Sequence, residues 1–239
     1  MTSQHIVSSF DRDLEALQAM IMKMGGQVEM ATANVIKALE ARDLELGEQI
    51  RREDKIIDRM DEDIKEETAR VLALRSPTAG DLRTVLSVMT ISSHLERCGD
   101  YAKNIAKRTT VLVSLPQING TVSALRRMSR MVERMLADAL DAYIQRDADK
   151  AEGVRERDLE VDQMYNTLFR SLLTHMMEDP RNITAAMHLH FIAKNIERMG
   201  DHATSISEQA IYLVTGALPD DDRPKGDSTA FDATSGDVK

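Results

Sequence analysis

Eight acidic residues form four pairs whose members stand four positions apart. The pairs are Asp54 and Asp58, Glu96 and Asp100, Asp158 and Asp162, and Glu197 and Asp201. On a helix, residues at this spacing lie one above the other on the same face, so each pair brings two like charges together at a cost of roughly a few tenths of a kcal/mol. A cation relieves such a cluster, and an all-oxygen ligand set suits Mg²⁺, Ca²⁺, Mn²⁺ or iron better than Zn²⁺. The four pairs therefore predict sites for hard cations.

The alternative is a solvated helix face. Charged residues make up 30% of the chain, so acidic pairs arise often by chance, and Arg97 or Arg198 could neutralise some of them. A ferritin-like di-iron centre is excluded, because it needs Glu-x-x-His and none of the six histidines has an acidic residue three positions before it. No phosphate-binding glycine loop and no Ser-His-Asp arrangement is present, so the sequence predicts a protein that is not an enzyme.

The acidic pairs recur because the chain contains an internal repeat of about 100 residues. Adding 104 to the residue number lays Asp43, Asp54 and Asp58 on acidic residues of the second half, and adding 101 lays Glu96-Arg97-x-Gly99-Asp100 on Glu-Arg-x-Gly-Asp at 197–201. Repetition at equivalent positions strengthens the metal hypothesis, and the solvated helix face stays open as the alternative. The mid-helix glycines of this motif predict close approach of two helices, or access for a ligand, beside the acidic pair.

Composition and periodicity predict long helices. Aromatic residues amount to 3%, Trp is absent, and the chain has only 11 Gly and 5 Pro. Pro77, Pro116 and Pro180 separate long segments whose apolar residues follow helical spacing. In the third segment this spacing predicts an inner face made of Leu82, Val85, Leu86, Met89, Leu95 and Ile105.

The predicted fold is all-α, with six long helices in two tandem three-helix bundles related by the internal repeat. We expect the first bundle at residues 5–116 and the second at 120–216. Residues 217–239 lack apolar periodicity and are rich in Asp, so they are predicted to form a disordered acidic tail.

Charge and cysteine usage exclude several classes of protein. A net charge of −9 disfavours a nucleic-acid partner, because phosphate binding needs concentrated Lys and Arg. The single Cys98 rules out an internal disulfide and a Cys-rich zinc site, and its surroundings suggest no activated thiolate. The N-terminal residues lack the features of a signal peptide, and no segment reads as a membrane span. These features predict a cytoplasmic protein.

Two segments carry a family resemblance: HLERCGDYAKNIA at 94–106 and AKNIERMGDHATSISE at 193–208. On a doubled three-helix unit they resemble the PhoU family, as does ETARVLALRSPTAGDLRTVL, which precedes the first of them. The resemblance covers about residues 5–215 and excludes the acidic tail.

The resemblance implies two packed three-helix bundles, a homodimer, and a negative regulator of the phosphate-starvation response. It implies partners too: the ATPase subunit of the phosphate ABC transporter and a membrane-bound, phosphate-sensing histidine kinase, so that the membrane is reached only through partners. Some family members hold multinuclear metal clusters on E/D-x-x-x-D motifs, which correspond here to the four pairs, with iron, manganese or magnesium as the expected ions. Two departures affect these sites: Ser205 replaces a usual Asn, and Lys107 stands where the second repeat has Glu208.

Two other functions are compatible with the sequence. One is a metal-binding or metal-storage protein built on the carboxylate clusters. The other is a helical scaffold that accompanies a different phosphate carrier.

Overall fold

The computed structural model describes residues 2–219, with side chains from Phe10 onward. All regular structure in this part of the chain is helical, which confirms the predicted all-α fold of six long helices. A short 3₁₀ turn at Pro180–Asn182 precedes the last helix. The helices are α1 (Thr2–Ala41), α2 (Leu44–Arg75), α3 (Ala79–Leu112), α4 (Thr121–Gln145), α5 (Ala148–Glu178) and α6 (Ile183–Thr215).

The turns between the helices reproduce the internal repeat. Arg42 and Arg146 both take a positive φ, 54° and 55°, and reverse the chain at the end of α1 and α4. The next residues, Asp43 and Asp147, accept a hydrogen bond from the backbone N–H three positions on and so cap α2 and α5. The three prolines at 77, 116 and 180 all lie between helices, as predicted.

The helices pack as two three-helix bundles that share one hydrophobic core. Within each repeat the three helices contact one another, and the repeats meet where α3 packs on α6 and α1 on α4. Among the described residues, α2 and α5 contact only helices of their own repeat and the adjoining 3₁₀ turn, so these two helices lie on the outside. The largest fully buried side chains come from both repeats and include Leu17, Ile21, Leu95, Met135 and Ile192.

The predicted inner face of α3 is wrong at two positions. Leu82 and Leu86 are 37% and 45% exposed, whereas Val85 and Val88 are buried. The buried stripe of α3 follows Val85, Val88 and Leu95 toward the neighbouring helices, and the two leucines stand to one side of it, near the start of the helix. Their helical spacing was compatible with either face, so periodicity alone did not separate them.

The second repeat begins with α4 and ends with α6. The connection between α3 and α4 covers residues 113–120, and α6 ends before Gly216, which takes a φ of 81°. Of the predicted acidic tail, residues 220–239 lie outside the described part of the chain. Within residues 2–219, no helix combines the length and the apolar character needed to cross a membrane.

Candidate metal centre

The four acidic pairs converge into two clusters, one in each repeat. Asp54 and Asp58 lie on α2 and Asp158 and Asp162 on α5, the outer helix of each repeat. The outer helix packs on the helix that carries the second pair, α3 in the first repeat and α6 in the second. Carboxylates from two neighbouring helices are therefore grouped in both repeats.

Glycines allow the two helices to approach closely beside the carboxylates. A Cβ atom on Gly99 would lie 3.1 Å from two carbon atoms of Ile57 and 3.6 Å from Asp54 Oδ1. A Cβ atom on Gly200 would lie 3.2 Å from Asp158 Oδ1. Both glycines of the Glu-Arg-x-Gly-Asp motif thus lie close to side chains of the facing helix, beside Asp54 in the first repeat and Asp158 in the second.

In the first cluster a buried carboxylate contacts a lysine. Asp54 is 3% exposed, and its Oδ2 lies 2.5 Å from Nζ of Lys103, which is also 3.2 Å from Asp100 Oδ1. Asp54 Oδ1 accepts no hydrogen bond. Burial raises the pKa of Asp54, the Lys103 ammonium opposes that rise, and the nearby carboxylates of Asp58 and Asp100 add to it.

The remaining carboxylates of the first cluster are closer to solvent and have an arginine beside them. Arg97 places Nε 3.7 Å from Glu96 Oε2 and Nη1 3.5 Å from Asp100 Oδ2. Burial raises the pKa of Glu96, and Asp100 raises it further while Arg97 lowers it. Arg97 is itself 60% exposed, so these contacts are weak ion pairs that leave the carboxylates accessible to another cation.

Asp61 belongs to the same cluster, and the repeat comparison missed it. It is buried, accepts a hydrogen bond from Ser92 Oγ at 2.8 Å, and lies 2.5 Å from Nζ of Lys65. Its carboxylate contributes to the raised pKa of Glu96. The second repeat has Tyr165 at the equivalent position, so Asp61 is not part of the repeated acidic pattern. Its spacing of seven residues from Asp54 was the signal that it faces the same way.

The second cluster is more deeply buried than the first. Asp158, Asp162 and Glu197 are only 5–7% exposed. Lys194 Nζ lies 2.9 Å from Glu197 Oε1, while Glu197 Oε2 accepts no hydrogen bond. Burial raises the pKa of Glu197 to about 7; Lys194 opposes the rise, and Asp201 and Asp162 add to it. The carboxyl group of Glu197 therefore holds its proton to a higher pH than an ordinary glutamate does.

The donor set of both clusters fits a hard cation, although the side chains as placed do not form a complete coordination shell. Within residues 2–219, no three His, Cys, Asp or Glu side chains are arranged to hold a metal ion. A buried carboxylate oxygen without a hydrogen bond occurs in each cluster, at Asp54 Oδ1 and Glu197 Oε2. An unpaired buried carboxylate oxygen is unfavourable unless a cation or a proton compensates it, and oxygen is the ligand that Mg²⁺, Mn²⁺ and iron prefer.

Both repeats match one family model. The PhoU domain model matches residues 21–109 and again residues 125–210. The chain belongs to the PhoU family. Relatives that match over nearly their full length support this assignment. One is a phosphate-specific transport system accessory protein PhoU homolog from Rhizobium meliloti, which is 43% identical over 96% of this chain and 97% of its own. The Zymomonas mobilis protein of the same name is 47% identical over 92% of this chain and 93% of its own.

Solved PhoU structures share the fold. The crystal structure of PhoU from Pseudomonas aeruginosa superposes with a TM-score of 0.84 at 38% identity, over 87% of this chain and 100% of that one. The phosphate transport system regulatory protein PhoU from Streptococcus pneumoniae gives a TM-score of 0.82 at 32% identity, over 88% and 99%.

In this PhoU-family chain a histidine pair lies at the contact between the repeats. His94 Nδ1 on α3 and His202 Nδ1 on α6 are 2.8 Å apart, and Tyr101 Oη is 3.3 Å from His202 Nε2. His202 directly follows Asp201 in the sequence, but the spacing of the residues gave no reason to pair it with His94. Nearby Cys98 is buried, which raises its pKa to about 12, so its thiol is not activated, as predicted.

Proposed function

We propose that this PhoU-family protein is a cytoplasmic negative regulator of the phosphate-starvation response and of phosphate uptake, and that it acts by protein contact without catalysis. The observation that supports the proposal is the match of both repeats to the PhoU domain, together with full-length relatives named as accessory proteins of phosphate-specific transport. When phosphate is plentiful, the protein would keep starvation genes inactive. Its partners would be the ATPase subunit of the phosphate ABC transporter and the phosphate-sensing histidine kinase, and it would be a homodimer.

Exposed apolar side chains support action by contact. Leu86 on α3 and Met187 on α6 stand at equivalent positions of the two repeats and are 45% and 40% exposed. Leu82 and Ile183, one turn earlier on each helix, are exposed as well. Apolar side chains repeated on the surface are typical of protein interfaces. The net charge of −9 continues to disfavour a nucleic-acid partner.

Co-purification tests the proposed partners. Affinity purification of the tagged protein from its host, grown in phosphate-rich medium, is expected to recover the transporter ATPase. The double variant Leu86→Ser, Met187→Ser is expected to recover less of it, because both changes remove apolar contact area from the repeated surface. The matched control is Leu74→Ser, which alters a leucine that is 64% exposed on α2.

Recovery of a different phosphate carrier instead of the ATPase would contradict the proposal and favour the scaffold function. Recovery of neither the ATPase nor another phosphate carrier would also contradict the proposal, because the protein would then have no partner through which to act.

We also propose that the two clusters bind hard cations, with iron, manganese or magnesium as the candidates. The ligands would be the eight carboxylates of the acidic pairs, and a bound ion would supply positive charge that ties each outer helix to α3 or α6. Asp54 Oδ1 and Glu197 Oε2 support this proposal, because they are buried carboxylate oxygens that accept no hydrogen bond. The same carboxylates could serve metal storage, which would require many more ions per chain.

Elemental analysis of the untagged protein separates these possibilities. We expect a stoichiometric amount of one hard metal per cluster, measured by plasma mass spectrometry. A variant with alanine at four cluster positions is expected to lose the metal while circular dichroism shows that it remains helical; the positions are Glu96, Asp100, Glu197 and Asp201. A control variant removes the same charge from four exposed glutamates, Glu53, Glu62, Glu156 and Glu160, and is expected to keep the metal.

Absence of metal from the wild-type protein and the control would contradict the metal proposal. The buried carboxylates would then be neutralised by protons and by lysines such as Lys103 and Lys194, and the regulatory proposal would depend on family membership alone. Uptake of tens of ions per chain would favour storage.

A further inference from the structure

The first cluster contains a positive charge at a position where the second repeat has none. Lys103 lies one turn after Asp100 on α3, and its ammonium group bridges Asp54 on α2 and Asp100. The equivalent residue of the second repeat is Thr204, which is fully buried and donates its hydroxyl to the backbone oxygen of Gly200 at 3.1 Å. A flexible cation in one repeat is therefore replaced by a neutral, locally bonded side chain in the other.

The second repeat receives its ammonium group from another direction. Lys194 lies one turn before Glu197 on α6, with Nζ 2.9 Å from Glu197 Oε1 and 4.9 Å from the centre of the Tyr165 ring. The first repeat has Ser93 at that position. The two clusters thus share their paired carboxylates but differ in how an internal cation reaches them.

Lys103 is placed to neutralise Asp54 and also to release it. The Asp54 carboxylate is 3% exposed, so it would be strongly unfavourable as an unpaired charge. The Lys103 side chain is 40% exposed and approaches the cluster from solvent. It can swing outward without disturbing the core, provided that another cation takes its place beside Asp54 and Asp100.

We infer that Lys103 is a built-in counter-cation of the first cluster, whose ammonium group competes with a divalent metal ion for Asp54 and Asp100. This inference rests on the proposal that the clusters bind hard cations. A metal ion that binds both carboxylates must displace two charge-assisted contacts. The first cluster therefore binds a divalent ion at least about tenfold more weakly than the same cluster with threonine at position 103.

Calorimetric titration with Mn²⁺ tests the competition. The full chain with Glu197→Gln and Asp201→Asn has an impaired second cluster, so the heat reports on the first. In this background Lys103→Thr is expected to tighten Mn²⁺ binding by at least about tenfold. Lys23→Thr removes the same charge from an exposed lysine on α1, which belongs to neither cluster, and is expected to leave the affinity unchanged.

Thermal unfolding in EDTA supplies a readout that involves no metal. Lys103→Thr is expected to lower the Tm by about 4 °C because it leaves Asp54 buried without a counter-cation. Lys23→Thr is expected to lower it by less. In an Asp54→Asn background the buried carboxylate is absent and only the more exposed Asp100 remains beside Lys103, so Lys103→Thr is expected to have a much smaller effect on the Tm.

Three results would overturn the inference. If Lys103→Thr has the same Tm in EDTA as Lys23→Thr, Lys103 is not a counter-cation, whatever the result of the Mn²⁺ titration. If the wild-type protein binds Mn²⁺ through its second cluster but Lys103→Thr leaves first-cluster binding unchanged, the competition fails and the metal proposal stands. If no variant binds any hard cation, the metal proposal and the competition fail together.

Discussion

The free energy of unfolding of the metal-free wild-type protein is expected to fall as the pH rises from about 4.5 to about 7. Glu197→Gln is expected to abolish this fall. These limits are the ordinary pKa of a glutamate and the raised pKa of Glu197 in the folded protein. Above about pH 7 the free energies of unfolding of the wild type and the variant are expected to differ by about 3 kcal/mol, since one pKa unit corresponds to about 1.4 kcal/mol. An effect of this size is a large part of the stability of an ordinary domain.

The direction follows from the protons that Glu197 binds in each state. Between these two pH values the folded protein keeps Glu197 protonated, because the buried carboxyl group lies close to Asp162 and Asp201, whereas the unfolded chain has released the proton. Since the folded state binds more protons, the free energy of unfolding falls as the pH rises through this interval. The contribution of the protonated Glu197 is fully present below pH 4.5 and is lost above about pH 7. Glutamine mimics the neutral carboxyl group at every pH.

Urea unfolding in EDTA at several pH values measures this difference. We expect the wild-type and Glu197→Gln curves to agree near pH 4.5 and to separate progressively, with the variant more stable at pH 8. The raised pKa values of Asp54 and Glu96 act in the same direction but are present in both proteins, so they cancel in the comparison. Glu160→Gln, which changes an exposed glutamate on α5, is the control and should follow the wild type. Parallel curves for wild type and Glu197→Gln would contradict the burial and charge described for the second cluster.

The same residue connects stability with the proposed cation. A hard cation bound at the second cluster would favour the ionised form of Glu197, since it stabilises the carboxylate and not the neutral acid. Adding such an ion above pH 7 should therefore reverse the loss of stability in the wild-type protein.

The positions of the paired carboxylates could be predicted because two independent regularities agreed. Helical spacing put the two members of each pair on one helix face, and the structure buries Asp54 and Asp158. The repeat put equivalent pairs in both halves of the chain, and in the structure the outer helix of each half packs on the helix that carries the second pair. Gly99 and Gly200 indicated close packing beside the acidic pairs, and in the structure a Cβ atom on either would lie only 3.1–3.2 Å from side chains of the facing helix.

The cations beside these carboxylates could not be predicted in the same way. Lys103 and Lys194 reach their clusters from non-equivalent positions, so the repeat contains no sign of either. A lysine has several rotatable bonds, and which carboxylate it reaches depends on the spacing of two helices, which periodicity does not specify. The place of Asp61 in the first cluster was not predicted for a related reason: the equivalent residue of the second repeat is Tyr165, which is not acidic.

Gene deletion followed by a phosphatase assay tests the proposed regulatory function most directly. In phosphate-rich medium the deletion strain is expected to produce alkaline phosphatase at the level of phosphate-starved wild-type cells, because the kinase would no longer be held inactive. A plasmid copy of the gene should restore repression. If alkaline phosphatase stays repressed in the deletion strain when phosphate is plentiful, the protein is not a negative regulator of the starvation response.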